Sequence, residues 1–170
     1  MSLAAVGLLG AFAGCSRPRN LAVVPEDDRE ELLSVVRVAD PQAAVQLASG
    51  FWGLENDSWR WTAGRFTVVL RPPAGAAQAG AKLELRLTLP EAVVAQVGPV
   101  VLRASVNGLA LEQQSFSEAG EHVFTRLVPA AALLESGVAV EFAVDKSMRP
   151  RGGDLRELAV IVTQVGLTLP

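Results

Sequence analysis

The chain has 170 residues, room for one domain and little more, and half of them are hydrophobic. Only 19% are charged, the net charge is −3, and Lys and Arg are scattered without a basic stripe, which excludes nucleic acid as a partner. One cysteine and one histidine exclude an intrachain disulfide and a Cys/His zinc site. No Asp-rich loop with calcium-binding spacing occurs, so no metal and no cofactor is implied.

The segment Leu3 to Gly14 reads LAAVGLLGAFAG and carries no charge. At twelve residues it is too short to cross a hydrocarbon core of about 30 Å as a helix. It has the length of the apolar region of a signal peptide. It closes on Ala13-Gly14-Cys15, and the polar run Ser16-Arg17-Pro18-Arg19-Asn20 follows. Phe12-Ala13-Gly14-Cys15 resembles a bacterial lipobox, departing from it at Phe12, where an aliphatic residue is usual, and at Met1-Ser2, which bring no basic residue. The resemblance implies a lipoprotein signal peptide at 1–14, with Cys15 lipidated. Residues 15–31 then form a lipidated cysteine and polar tether, acidic from Glu26 to Glu31 and solvated as charge runs usually are. Such a protein lies in the bacterial cell envelope, anchored to the membrane by lipid, on the periplasmic or extracellular face.

From residue 32 onward period-two alternation dominates. Strands are predicted at 35–38 and 44–49. Phe66, Val68 and Leu70 alternate with less apolar neighbours, and 72–80, rich in Pro, Ala and Gly, reads as a flexible loop. Lys82 to Leu89 sets four leucines on one face against Lys, Glu, Arg and Thr on the other. A short helix is predicted over Glu91–Gln96, after Pro90 and before Gly98. Val100, Leu102, Ala104 and Val106 form the next alternating set, and Asn107-Gly108 after it suits a type I′ hairpin turn into a strand at 109–115. Another strand is predicted at 121–128, a second short helix at Ala130–Glu135, and a strand through Val138, Val140, Phe142 and Val144. Leu158 to Val162 is apolar throughout, as in a strand covered on both faces. The sum is an all-β domain over 32–170: an antiparallel β-sandwich, jelly-roll-like, with one or two short helices.

Two clusters are candidate sites. Phe51, Trp52, Trp59 and Trp61 fall within eleven residues beside Glu55, Asn56, Asp57 and Arg60. Flat aromatic faces suit stacking on sugar rings, and the neighbouring polar groups suit sugar hydroxyls. The competing reading is that the rings plug one end of the sandwich, which Trp61 fits best; Trp52 stays open between the two. The second cluster is basic: Lys146, Arg149, Arg151 and Arg156, in a Pro- and Gly-containing loop before the last strand. Arginines there suit a carboxylate or phosphate, or pair with Asp154 and Glu157. The possible ligand-binding residues are therefore Trp52, Glu55, Trp59, Arg149 and Arg156. Glu55 and Arg156, each beside apolar neighbours, are also expected to meet as a structural ion pair.

Gly50-Phe51-Trp52-Gly53-Leu54-Glu55 followed by Arg60-Trp61, the Val106-Asn107-Gly108 hairpin, and Arg149-Pro150 with Asp154-Leu155-Arg156-Glu157-Leu158 carry a further likeness. Together, over roughly 44–168, they resemble β-sandwich accessory domains found with bacterial cell-surface glycan glycosyltransferases. Those domains usually have Gly after the final Leu; here it is Ala159. The resemblance implies a fold and no catalytic residue.

No nucleotide-binding glycine motif and no Gly-x-Ser-x-Gly elbow is present, and a serine triad would depend on the lone His122. The chain therefore reads as no enzyme. The favoured reading is a non-catalytic envelope lipoprotein acting as a structural or interaction domain, its partners the membrane and another envelope protein or a glycan. The alternative is a carbohydrate-binding lipoprotein using the aromatic cluster at 51–61, and an envelope hydrolase ranks last.

Overall fold

The alternation at 81–89 becomes strand in the plainest way: Ala81, Leu83, Leu85, Leu87 and Leu89 are buried, Arg86 is exposed, and Lys82, Glu84 and Thr88 lie between. The same pattern recurs along a computed structural model that describes residues 31–170. The expected signal peptide at 1–14, the lipidated Cys15 and the tether up to residue 30 lie outside the described residues.

The strands are β1 (Val35–Arg37), β2 (Ser49–Glu55), β3 (Trp59–Leu70), β4 (Ala81–Leu89), β5 (Val100–Val106), β6 (Leu109–Ala110), β7 (Gln114–Phe116), β8 (Gly120–Val128), β9 (Val138–Val144) and β10 (Ile161–Thr168). Two short helices join them, α1 (Ala76–Ala79) and α2 (Glu91–Val97). Every pairing is antiparallel.

β3 divides the sheet. Its residues Arg60 and Trp61 pair with β10, while Arg65 to Leu70 pair with β9. One limb continues through β10, β4 and β8, with β1 also on β10; the other continues through β9 and β5, which carries β6 and β7. β2 follows the free edge of β3. The limbs fold face to face: Phe124 of β8 meets Phe142 of β9 edge-on at 6.4 Å, and Phe142 stacks on Phe66 at 4.9 Å. All three rings are buried, and each such side chain contributes about 1.5–3 kcal/mol by leaving water. The antiparallel β-sandwich read from the sequence is therefore the observed fold. The Asn-Gly turn is also observed: Asn107 has φ 47° and Gly108 φ 78°, and β5 pairs with β6 directly across it.

Four local expectations need correction. Residues 44–49 are not a strand. Asp40 caps a 3-10 helix over Pro41–Gln46 by accepting from the Gln42 N–H at 2.9 Å, and β2 starts only at Ser49. The buried Gln46 amide explains the helix: it bonds the Leu33 N–H and C=O and the Val69 C=O, tying the helix to two segments distant in the chain. The strand expected at 109–115 is broken into β6 and β7. Ala130–Glu135 shrinks to a 3-10 turn at Ala130–Ala132. Leu158, Ala159 and Val160 are buried as expected, but they run as an extended approach to β10, with Thr62 bonding both Ala159 and Val160. The loop at 72–80 also contains the single turn of α1.

Candidate functional site

β2 and β3 are joined by a tight turn in which Asn56 and Asp57 both take positive φ, 49° and 50°. Asn and Asp tolerate that region better than other non-glycine residues, which is why the turn forms without glycine. The Ser58 N–H closes it on the Glu55 C=O at 3.1 Å. The register places Glu55 opposite Trp59, and two irregularities along β2 shift its faces between Ser49 and Leu54.

Within β2, Phe51 turns to the core, its ring 5.3 Å from Phe66. Trp52 turns the other way and stays half-buried. Its indole Nε1–H donates to the Glu157 C=O at 2.8 Å, and its own C=O accepts from Arg60 Nη1 at 3.0 Å. Arg60 is fixed in turn by Nε donating to the Val38 C=O at 3.0 Å. The indole hydrogen bond sets the ring orientation, and the Arg60 bond fixes the backbone that carries it.

That ring borders an open cleft of about 930 Å³. Lys146, Arg149, Pro150 and Leu155 form much of the rest of the lining. Leu155 is 84% exposed, a bare apolar surface at the rim. The rim loop is pinned at its base, where Met148 and Leu158 exchange backbone hydrogen bonds at 2.8 and 3.0 Å. Glu157 anchors it to β3, accepting from Ser147 Oγ at 2.5 Å and from the Gly64 N–H at 3.2 Å.

Arg156 points away into a cluster of its own. Nη1 donates to Glu55 Oε1 at 2.7 Å, and Nη2 and Nε donate to the carboxylate of Asp154 at 2.8 to 3.2 Å. The guanidinium holds the Asp154 carboxyl down to about 2, helped by the Arg156 backbone N–H, and the two carboxylates raise the pKa of Arg156. The expected ion pair is thus present.

The candidate residues separate accordingly. Trp52 and Arg149 line the cleft. Glu55 and Arg156 meet each other outside its lining, and Trp59 packs edge-on against Trp61 at 6.4 Å, with Trp61 resting on the core. Leu155 and Glu157 were not singled out as site residues. An apolar residue between Asp154 and Arg156 was the only signal for Leu155; the backbone contact that makes Glu157 matter has none in the sequence. Among the described residues no three His, Cys, Asp or Glu side chains converge to hold a metal ion.

No protein-family model matches the chain, and no curated protein matches it in sequence. Solved structures do. A family GH115 4-O-methyl-α-glucuronidase with specificity for decorated arabinogalactans aligns at TM-score 0.53 and 13% identity, over 97% of this chain and 20% of that one. This chain therefore spans about a fifth of the glucuronidase's length. A carbohydrate-binding module of family 27, described for specific mannan recognition, aligns at TM-score 0.45 and 13% identity, over 82% and 97%. A family 36 module solved with calcium and xylotriose aligns at TM-score 0.43 and 8% identity, over 80% and 100%. At these identities the likeness to the glucuronidase's segment shows a shared fold.

Proposed function

We propose that this domain is a non-catalytic carbohydrate-binding domain whose site is the cleft at Trp52. The observation that carries the reading is the placement of Trp52. Its ring is neither packed away nor free: its indole N–H bonds the Glu157 C=O at the edge of an open cleft, while Arg60 holds the Trp52 backbone, beside the exposed Leu155 and cations able to bond hydroxyls. A fixed indole face stacks on the C–H face of a sugar at little entropic cost. A purely structural role would bury the ring. The cleft's two carboxylates each hold a structural hydrogen bond through one oxygen, which favours binding over hydrolysis. Asp145 accepts from the Val101 N–H at 2.6 Å, and Glu157 holds Ser147 and Gly64.

Isothermal titration of the full-length chain, in a detergent without a sugar headgroup, against a panel of neutral and acidic polysaccharides tests this. Trp52→Ala is expected to weaken binding at least tenfold with the far-UV dichroism unchanged. Unchanged affinity in Trp52→Ala would remove the cleft as the site.

The presentation we propose is a lipid on Cys15 with residues 16–31 as spacer, supported by the apolar run that ends in Ala13-Gly14-Cys15. One acyl chain binds membranes marginally and two or more anchor stably. Cys15→Ser is expected to lose labelled palmitate and leave the membrane fraction; retention of both would defeat the proposal.

A further inference from the structure

The cleft at Trp52 opens onto the solvent face of the β3–β9–β5 sheet. Register fixes what lies there. Arg65 of β3 is opposite Ala143 of β9, and Ala143 is opposite Arg103 of β5. The next row is Thr67, Glu141 and Ser105. Their neighbours Phe66, Phe142 and Ala104 are buried, so strand alternation turns both rows to water. With strands about 4.8 Å apart, the two arginines stand about 10 Å apart astride a single methyl group.

The surface sinks along this row. A depression of about 350 Å³ is lined by Arg65, Thr67, Arg103 and Glu141, among others. A second, of about 650 Å³, shares Arg65 and Arg103 with it, and shares Ala63, Asp145, Ser147 and Glu157 with the Trp52 cleft. The three form one trough from Ser105 to Leu155.

The charges along the trough are unevenly satisfied. Glu141 accepts from Ser105 Oγ at 3.1 Å, and Asp145 and Glu157 are held by the backbone and hydroxyl donors already described. Among the described residues Arg103 donates only from Nε, to Gln113 Oε1 at 3.1 Å. Among the described residues no carboxylate is in ion-pair contact with Arg65, Arg103, Lys146 or Arg149. Each of these acids accepts through one oxygen, and among the described residues the guanidinium groups of Arg65 and Arg103 face the trough with donors unfilled. A guanidinium fork matches a carboxylate with two parallel hydrogen bonds.

We infer that the trough binds an acidic polysaccharide. Carboxylates of uronate-type sugars meet Arg65 and Arg103, and a sugar face stacks on Trp52. The inference rests on the carbohydrate-binding reading and adds the ligand's charge and its path across the sheet. The net charge of −3 gives no long-range pull on a polyanion, so recognition depends on these local donors.

The test is affinity electrophoresis and titration of the full-length chain with polygalacturonate, alginate, hyaluronan and glucuronoxylan. Fully methyl-esterified polygalacturonate, dextran sulfate and neutral mannan are run beside them. At least one uronan is expected to bind, and its affinity to fall at least tenfold both in Arg65→Gln/Arg103→Gln and in Trp52→Ala. For polygalacturonate, methyl esterification should reproduce the loss. Both arginines are exposed, so the double variant is expected to melt with wild type. If the double variant keeps wild-type affinity for the uronan, or mannan alone binds, the acidic ligand is wrong while the carbohydrate reading stands. Binding to dextran sulfate as tight as to the uronan would overturn it in favour of a general anion patch. If nothing in the panel binds, both readings fail.

Discussion

Arg156 donates from Nη1 to Glu55 Oε1 across 2.7 Å, tying the end of β2 to the segment that leads into β10, 101 positions away. The two side chains are 33% and 34% exposed, so water screens the pair only in part. Exposed pairs contribute under about 1 kcal/mol, and breaking a buried pair costs about 3–5 kcal/mol. A double-mutant cycle of Glu55→Gln and Arg156→Met, read by urea denaturation, is expected to give a coupling of about 1–2 kcal/mol. Fully additive losses would show that the contact stabilises nothing.

Asp154 makes the acid limb of stability predictable. Its carboxyl is lowered from 3.8 to about 2, first by the side-chain hydrogen bond from Arg156 and then by the Arg156 backbone N–H. A carboxyl with a lower pKa folded than unfolded binds its proton more weakly in the native state. Stability therefore rises with pH through the window between the two values. Its contribution is complete above the ordinary value and lost as the pH falls through about 2. The difference in urea midpoint between wild type and Asp154→Asn is expected to be full at pH 6 and mostly lost at pH 2. A difference constant across that range would contradict the assignment.

Gly108 and Gly50 both have positive φ, 78° and 75°, but their surroundings differ. A Cβ on Gly108 would meet nothing within 4 Å, so Gly108→Ala suffers only the backbone penalty, about 1 kcal/mol. A Cβ on Gly50 would lie 2.0 Å from the Arg65 carbonyl oxygen, so Gly50→Ala must also push β2 off β3. Overpacking of that kind adds about 1–3 kcal/mol. Thermal melts should show Gly50→Ala losing at least twice as much stability as Gly108→Ala. Equal losses would mean the two positions tolerate a side chain alike.

What the sequence made legible depends on short range. The leucines of β4 and the Asn107-Gly108 turn are set by residues two apart or adjacent, and both were readable. The 3-10 helix at Pro41–Gln46 was not, because the partners of Gln46 lie at Leu33 and Val69, 13 and 23 positions away. The site divides in the same way. An aromatic cluster at 51–61 was visible, but which rings face the cleft follows from the register shifts along β2. The row of Arg65, Ala143 and Arg103 joins three strands far apart in the chain, and only their pairing brings it into being.

Arg126 closes the sandwich at the edge opposite β3, and its removal is the most informative test of the fold. β8 pairs only with β4 among the described strands, and β5 is covered on its outer side only by the short β6 and β7. Both limbs would end in open edges, which invite pairing with another chain. Arg126 of β8 reaches across the gap. Its Nε donates to the Glu112 C=O at 2.7 Å, Nη2 to the Gln113 C=O at 2.9 Å and Nη1 to Gln114 Oε1 at 3.1 Å. Its guanidinium carbon lies 4.5 Å over the Phe124 ring, so the charge is partly sheltered. A hydrogen bond to a charged group contributes about 1.5–3 kcal/mol net, and the exposure of these partners to water puts Arg126 at the low end. Arg126→Met, which keeps the stem and removes the donors, is therefore expected to cost about 1–2 kcal/mol. Arg126→Lys retains one donor group and should fall between the variant and wild type. Urea denaturation measures the loss, and sedimentation over a concentration series measures the second effect, self-association through the uncovered edges. A monomeric Arg126→Met within about 0.5 kcal/mol of wild type would place it with ordinary surface substitutions and show that the edges are protected by other means.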